Sequence, residues 1–297
     1  MVSLLAGSHP PVATVQPRLT SAMPDEISPP PLREVIKTYD LRADKSLGQH
    51  FLLDTDLLNS IAARAEPLEG VNVIEIGPGP GGLTRALLAT RARHVTAIEY
   101  DPRAVAAIKA LAETAQGRLT ILHADAMKAD LPALVPAPRA IAANLPYNIG
   151  TPLLISWLMQ AAQYQSFTLM FQLEVAERLC AAPSTPAYGR ISVLAQWLCD
   201  VDIVMHIPAS AFAPPPKVDS ALIRLVPKPS QPPREQIQAM EKLTAAAFGQ
   251  RRKMLRGALK GLGGTDLLQA AGIDPARRAE TLSVQEFEQL MLVLIRK

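Results

Sequence analysis

The sequence predicts an α/β fold: a mostly parallel β-sheet covered by helices on both faces, followed by a small C-terminal all-α domain. Three observations predict it. From residue 71 onward, short β-branched runs alternate with stretches of helical periodicity, the pattern of parallel strands joined by crossover helices. The first of these runs ends in a glycine-rich turn that opens a helix. Beyond residue 233 the strand-like runs stop and only helical spacing remains.

Residues 1–31 hold seven prolines, no aromatic residue and no periodicity. They are expected to be a disordered extension, with Met23 as an alternative start. Leu32, Val35 and Ile36 suggest a short helix, a loop covers 45–52, and Leu57, Leu58, Ile61 and Ala62 recur at helical spacing. Strands are expected at 71–76, 94–99, 118–122, 139–143, 166–172, 200–205 and 219–226, with helices at 81–90, 102–115, 151–161, 173–182 and 189–198. The last two strands have only a short Pro-rich connection, which predicts an antiparallel pair at one edge. Four prolines in 227–233 mark a linker. The main domain therefore runs over 32–229 and a helical domain over 230–297, with helices at 234–248, 252–261, 264–271 and 283–295.

Apolar residues are 48% of the chain, ample for a core, and charged residues only 19%, which argues against a chain disordered throughout. Cys180 and Cys199 cannot build a disulfide framework or a metal cluster and read as thiols in apolar surroundings. No apolar run approaches a membrane span, and Met1–Pro11 lacks the basic start of a secretory signal, so a cytoplasmic, membrane-free protein is expected.

The sharpest local signal is Val73-Ile74-Glu75-Ile76-Gly77-Pro78-Gly79-Pro80-Gly81-Gly82. Gly77, Gly79 and Gly82 match a dinucleotide turn, but Pro78 and Pro80 remove N–H groups that would cradle a pyrophosphate. Glu75 would repel phosphate and suits a ligand carrying a sulfonium and an ammonium. Glu99 closes the second strand, where a carboxylate can take both ribose hydroxyls. Asp125 closes the third, within reach of an adenine amino group, although alone it reads equally as a helix cap. Acids and glycines at three successive strand ends point to S-adenosylmethionine, since ligands of such sheets bind at the carboxyl ends of the strands.

The fourth strand ends in Asn144-Leu145-Pro146-Tyr147. An exocyclic adenine amino group is a poor nucleophile because its lone pair is delocalised into the ring. The Asn144 side-chain oxygen and the carbonyl of Leu145 or Pro146 can each accept one of its hydrogens and free that lone pair for attack on a methyl group. Tyr147 offers a face on which the extruded base stacks, worth roughly 1–3 kcal/mol. Methyl transfer to an adenine amino group is the expected chemistry, with Asn144, Leu145, Pro146 and Tyr147 as its residues.

These motifs, with others downstream, resemble the KsgA (RsmA) type small-subunit ribosomal RNA adenine dimethyltransferases and their erythromycin-resistance cousins. The resemblance runs from about Leu32 to the C-terminus. It rests on Lys45–Leu52 (Lys-Ser-Leu-Gly-Gln-His-Phe-Leu), the Gly77 turn, Ile98–Asp101, His123–Ala126, Asn144–Asn148, Phe171–Ala176, Tyr188–Val193, Phe212–Ser220 (Phe-Ala-Pro-Pro-Pro-Lys-Val-Asp-Ser) and Phe248–Lys253 (Phe-Gly-Gln-Arg-Arg-Lys). It implies a Rossmann-like methyltransferase that gives two adjacent adenosines, in a hairpin loop near the 3′ end of the small-subunit RNA, two N6-methyl groups each. It implies that His50, Leu52, Gly77, Glu99, Asp125 and Asn144 hold S-adenosylmethionine and that Phe212 stacks opposite Tyr147. His50 stands where many relatives have Asn, and Leu173 where Lys is common, so no RNA contact is assigned to Leu173.

From Pro208 onward there are 14 Lys and Arg against 8 Asp and Glu, so the C-terminal part carries the basic excess of a chain whose formal net charge is only +3. Residues 249–260 hold Arg251, Arg252, Lys253, Arg256 and Lys260 without an acid. Arg251, Arg252 and Lys253 are therefore expected to contact RNA phosphates, with Leu255 and Leu259 turned inward. The expected partner is small-subunit RNA in a pre-30S-like particle, bound by a monomer. Rival readings are a large-subunit adenine dimethyltransferase, a DNA adenine methyltransferase (which usually carries Asp-Pro-Pro-Tyr), a non-catalytic assembly or transcription factor, and a nicotinamide dehydrogenase. The strings at 212–220 and 248–253 disfavour the first, Asn rather than Asp at 144 the second, the intact Asn144–Tyr147 the third and the two loop prolines the fourth.

Overall fold

A computed structural model describes residues 29–41, 50–250 and 252–296. Its centre is a seven-stranded sheet in the order β4-β3-β2-β5-β6-β9-β7. The strands are β2 (Asn72–Ile76), β3 (His94–Glu99), β4 (Leu119–His123), β5 (Arg139–Asn144), β6 (Phe167–Gln172), β7 (Cys199–Ile207) and β9 (Ser220–Pro227). The first five are parallel to one another, and β9 runs antiparallel between β6 and the edge strand β7. The antiparallel edge expected from the short connection is present, with the later strand on the inside.

β2 is buried at every residue, which explains its continuous apolar run broken only by Asn72 and Glu75. Successive residues feed opposite faces. Val73, Val95, Ala97, Ala140 and Ala142 pack with α2 (Thr55–Arg64) and α3 (Gly82–Leu88). Ile74, Ile76, Ile98, Ile141 and Ala143 pack with α6 (Gly150–Leu158) and α8 (Arg190–Leu198). α4 (Pro102–Thr114) starts where Asp101 accepts from the Arg103 amide at 2.9 Å with Pro102 in the first turn, a start signal written in the sequence. α1 (Leu32–Thr38) lies against α4 through Val35, Ala104 and Ala107. The short α5 (Leu131–Leu134) precedes β5, and α7 (Leu173–Cys180) follows β6 directly. Among the described residues, no helix is long and apolar enough to cross a membrane.

The C-terminal helices are α9 (Arg234–Phe248), α10 (Leu255–Ala258), α11 (Gly264–Ala270) and α12 (Val284–Ile295). Ser283 and Glu286 form a reciprocal capping box at the start of α12. Ile237, Met240, Leu243, Phe287 and Leu290 join the same apolar cluster as Ile141, Phe167 and Leu198 of the sheet domain. Arg190 of α8 pairs with Glu241 of α9, and the Trp197 indole donates to Glu288 of α12 at 3.1 Å. The proline-rich connection is also held: the Lys228 amide and the Gln231 side chain both donate to the Leu198 carbonyl, at 3.0 and 2.8 Å.

Three expectations are corrected or refined. The helix expected over 252–261 is only α10 and a 3₁₀ turn at 260–262, because the amides of Leu255 and Arg256 bond to Arg277 and Pro275 across the chain and Gly263 takes φ +116°. Leu255 and Leu259 are nevertheless fully buried with Arg256 and Lys260 outside. A two-stranded ribbon that no periodicity signalled pairs β1 (Phe51–Leu52) with β8 (Phe212–Ala213). Pro29–Pro31, the end of the expected extension, lie among the described residues, and Arg85 donates to the Pro30 carbonyl at 2.7 Å. The rest of the extension and the 45–49 part of the expected loop lie outside them.

The shared core makes a thermodynamic prediction. Leu243→Ala truncates a fully buried side chain where α9 packs on the sheet domain and should cost about 2–5 kcal/mol. Urea unfolding followed by tryptophan fluorescence and by far-ultraviolet circular dichroism should move together, since Trp157 and Trp197 both belong to that core. Two separate transitions would show that the C-terminal helices melt independently.

Candidate active site

The order of strand addition reverses at β2: β3 and β4 are added on one side of it and β5 and β6 on the other. Such a switch point opens a crevice at the carboxyl ends of the strands. Gly77, Glu99, Asp125 and Asn144 all stand at or just beyond the ends of β2, β3, β4 and β5, so the four acid, glycine and amide signals read from the sequence share one edge of the sheet. Two adjoining pockets lie there and meet at Gly77, Glu99 and Pro146. One is lined by His50, Leu52, Glu75, Asn144 and Tyr147. The other is lined by Ile98, Tyr100, Asp125, Met127 and Asn148.

The glycine turn is shaped by its neighbours. Gly79 has φ +53°, and a Cβ on it would lie 3.1 Å from the Phe51 ring of β1, so both backbone conformation and space require glycine there. Glu99 is 8% exposed, and its carboxylate is held by backbone: Oε1 accepts from the amides of Tyr100 and Asp101 at 2.7 and 2.9 Å, and Oε2 lies 3.4 Å from the Gly79 amide. Burial pushes its carboxyl up, and those amides pull against the push. Glu75 is 1% exposed, and no hydrogen bond of ordinary geometry reaches its Oε2. Burial raises this carboxyl to about 8, with the neighbouring Thr84 hydroxyl opposing and the Glu99 charge adding to the rise. Asp125 caps the turn after β4, accepting from the Met127 amide at 2.9 Å, and lies 3.6 Å from the Lys128 ammonium. It is thus both a cap and a lining residue of the second pocket.

Asn144 donates its side-chain Nδ2 to the His50 carbonyl at 3.1 Å, and among the described residues no hydrogen bond reaches its Oδ1. Pro146 is already engaged: its carbonyl accepts from the amides of Ile149 and Gly150 at 3.2 and 3.1 Å, closing the turn into α6. Of the two carbonyls that the sequence left open, Leu145 is the one no such turn occupies. Tyr147 is half-buried, and its hydroxyl lies 2.7 Å from Ser220 Oγ. The His50 ring sits beside both aromatics, its centroid 5.5 Å from Tyr147 and 6.3 Å from Phe212, edge-on to the latter. His50 Nδ1 donates to the Pro214 carbonyl at 2.8 Å. Phe212 is buried, and β8 pairs it with Leu52.

Arg252 and Lys253 are exposed on the turn between α9 and α10, away from these strand ends in sequence and on a different element, and Arg251 lies outside the described residues. Sequence reasoning missed Tyr100 and Met127, which are 73% and 47% exposed and line the second pocket. Their signal was a large side chain within two residues after each strand-end acid. It also missed Ser220, although this residue closes the very string that begins with Phe212.

The chain matches the family model described as ribosomal RNA adenine dimethylase over residues 41–296. It is 55% identical over 265 residues to a ribosomal RNA small subunit methyltransferase A from Gluconobacter oxydans, covering 89% of this chain and 88% of that one. A protein of the same description from Rhodopseudomonas palustris is 56% identical, with 87% of this chain and 92% of the relative covered. Among solved structures, a dimethyladenosine transferase from Plasmodium falciparum superposes with a TM-score of 0.70 at 27% identity, over 83% of this chain and 98% of that one. The 23S rRNA methyltransferase ErmE superposes at 0.62 and 29% identity, over 82% and 99%. A glycine turn and acids at successive strand ends, an oriented Asn-Leu-Pro-Tyr loop and a match over nearly the whole chain have one common explanation: the protein belongs to the ribosomal RNA adenine dimethylase family.

Proposed function

We propose that the protein uses S-adenosylmethionine to dimethylate N6 of two adjacent adenosines in a hairpin loop near the 3′ end of small-subunit ribosomal RNA, acting as a cytoplasmic monomer on a pre-30S-like particle. The observation that carries this reading is the bond from Asn144 Nδ2 to the His50 carbonyl, which assigns Oδ1 the acceptor role on a side chain that lines the switch-point crevice together with Leu145. Identities above 50% to small-subunit enzymes, against 29% to the large-subunit enzyme ErmE, favour the small-subunit substrate.

The crevice fits the cofactor. Its two halves meet at Glu99, whose backbone-held carboxylate suits a ribose diol; the half with Ile98, Tyr100 and Met127 suits an adenine ring, and Asp125 its amino group. The other half, with His50, Leu52, Gly77 and the partnerless carboxyl oxygen of Glu75, suits a cationic amino-acid tail. The bound cofactor would supply an electrophilic methyl group. Asn144 Oδ1 and the Leu145 carbonyl accept the two amino hydrogens of the target adenine, so its nitrogen lone pair leaves the ring and faces the crevice. Tyr147 supplies an aromatic wall for the extruded base, and the buried Phe212 backs the His50 ring beside it rather than facing the base. Arg251, Arg252 and Lys253 contact RNA phosphates.

Mapping of dimethyladenosines in small-subunit RNA after reaction with labelled cofactor tests the reading directly; label in large-subunit RNA alone would overturn it. Glu99→Ala should weaken cofactor binding by roughly 1.5–3 kcal/mol in calorimetry, the worth of charge-assisted hydrogen bonds. Glu75 gives a pH signature. Its raised carboxyl keeps a proton that the unfolded chain releases above about 4.5, so folding stability falls as pH rises from there to about 8. Urea melts of Glu75→Gln should show a shallower fall across that window than the wild-type protein.

Asn144→Ala should nearly abolish methyl transfer while RNA affinity drops little, because phosphate contacts dominate affinity. Neutralising Arg251, Arg252 and Lys253 together should do the opposite. The slope of log K against log salt should shrink by roughly 2–3 units, with cofactor affinity unchanged. A filter-binding series across salt decides: a wild-type slope in the triple variant makes the basic run a solvated face.

A further inference from the structure

We propose that Ser220 is a positioning residue for the target base: it fixes the plane of the Tyr147 ring through the bond between the two side-chain hydroxyls. The inference rests on the reading of Asn144–Tyr147 as the loop that receives an extruded purine.

A tyrosine on a loop can turn about two side-chain bonds, and a stacking surface helps methyl transfer only if it already stands at the angle the base needs. Tyr147 lies three residues beyond the end of β5 and is half-buried. The neighbouring His50 ring meets it at 32°, a tilted contact that defines no plane. The hydroxyl bond to Ser220 Oγ, at 2.7 Å, is the directional contact that reaches the far end of the ring.

The other end of that bond is immobile. Ser220 is fully buried and opens β9, where it is paired with Gln172 of β6 on one side and Ile207 of β7 on the other. The preceding residue is tied down twice: Asp219 Oδ1 accepts from the Ala209 amide at 2.8 Å, and its carbonyl accepts from the Leu173 amide at 2.9 Å. Residues 212–220 also supply Phe212 itself and the Pro214 carbonyl that holds His50 Nδ1. One stretch of chain therefore touches all three rings at the base-receiving end of the crevice. A half-buried phenol could be satisfied by water, so the fold alone does not require this bond; a ring held at a set angle does.

The test is single-turnover methylation of a small-subunit RNA hairpin fragment at saturating RNA, with labelled S-adenosylmethionine. It is paired with RNA and cofactor affinities and with melting temperature. Ser220→Ala should slow the single-turnover rate roughly 2- to 13-fold, the worth of one hydrogen bond, with both affinities unchanged. Tyr147→Phe removes the same bond from the other side and should slow the rate by a similar factor. In the Tyr147→Phe background, Ser220→Ala should add nothing. Rate losses that multiply in the double variant, or a wild-type rate in Ser220→Ala with only a lowered melting temperature, would overturn the proposal. If Ser220→Ala does not fold, Tyr147→Phe decides alone, and a wild-type rate there overturns it. A wild-type protein that transfers no methyl to adenosine N6 in this RNA sinks the functional reading first, and the positioning role with it.

Discussion

The parallel pairing of β2 with both β3 and β5 is the constraint on which everything else depends. Its register sets Ile76 opposite Ile98 and Glu75 opposite Ala142, so the glycine turn, Glu99 and the Asn144 loop leave the sheet at the same height. Parallel strands need long crossovers, and these send the chain to one side of β2 for two strands and to the other for the next two. The backbone must part at that point, and the crevice is where it parts. A slip of one residue in either pairing would turn Glu75 or Asn144 to the wrong face of the sheet, since side chains alternate.

The crevice costs the fold two buried carboxyl groups. Glu75 and Glu99 both sit at the ends of strands whose other residues are almost wholly apolar, a position that disfavours ionisation. Glu99 recovers part of the cost through backbone amides that the turn into α4 leaves without helical partners. Glu75 has no such relief at Oε2, and a packed apolar side chain there would stabilise the fold better. Groups that fold stability alone would remove are the ones a cationic ligand explains.

Much of this was legible because the sheet's demands are local. A strand buried on both faces must read as a continuous apolar run, so Glu75, Glu99 and Asn144 stood out as interruptions or endings. The caps at Asp101 and Ser283 are equally local, though no expectation drew on them. What could not be read is what depends on contacts between distant segments. The β1–β8 ribbon has two residues per strand, too few for any period, and joins positions about 160 residues apart. The helix expected over 252–261 had the right apolar spacing but lost its amides to Arg277 and Pro275. The proline-rich stretch before α9 has the composition of a loose linker, yet Leu198 takes hydrogen bonds from two of its residues. Composition reports what a segment can do alone, not what its neighbours offer it.

That last contact bears on how the two halves of the chain act together. The helices beyond the linker share one apolar cluster with the sheet and are joined to it by Arg190–Glu241 and Trp197–Glu288. The helix that leads into Arg252 and Lys253, α9, is therefore packed on the domain that carries Asn144 rather than tethered to it by a loose linker. Phosphate contacts carry little sequence information, but on a rigid body they fix the register of a bound RNA. In the proposed function, the energy of many weak, salt-sensitive contacts is thereby converted into the placement of one base, which is where proximity lowers a barrier most. On that reading, selection among adenosines lies in which hairpin geometry lets the phosphates and the Asn144 loop be satisfied together, not in any one contact with the base.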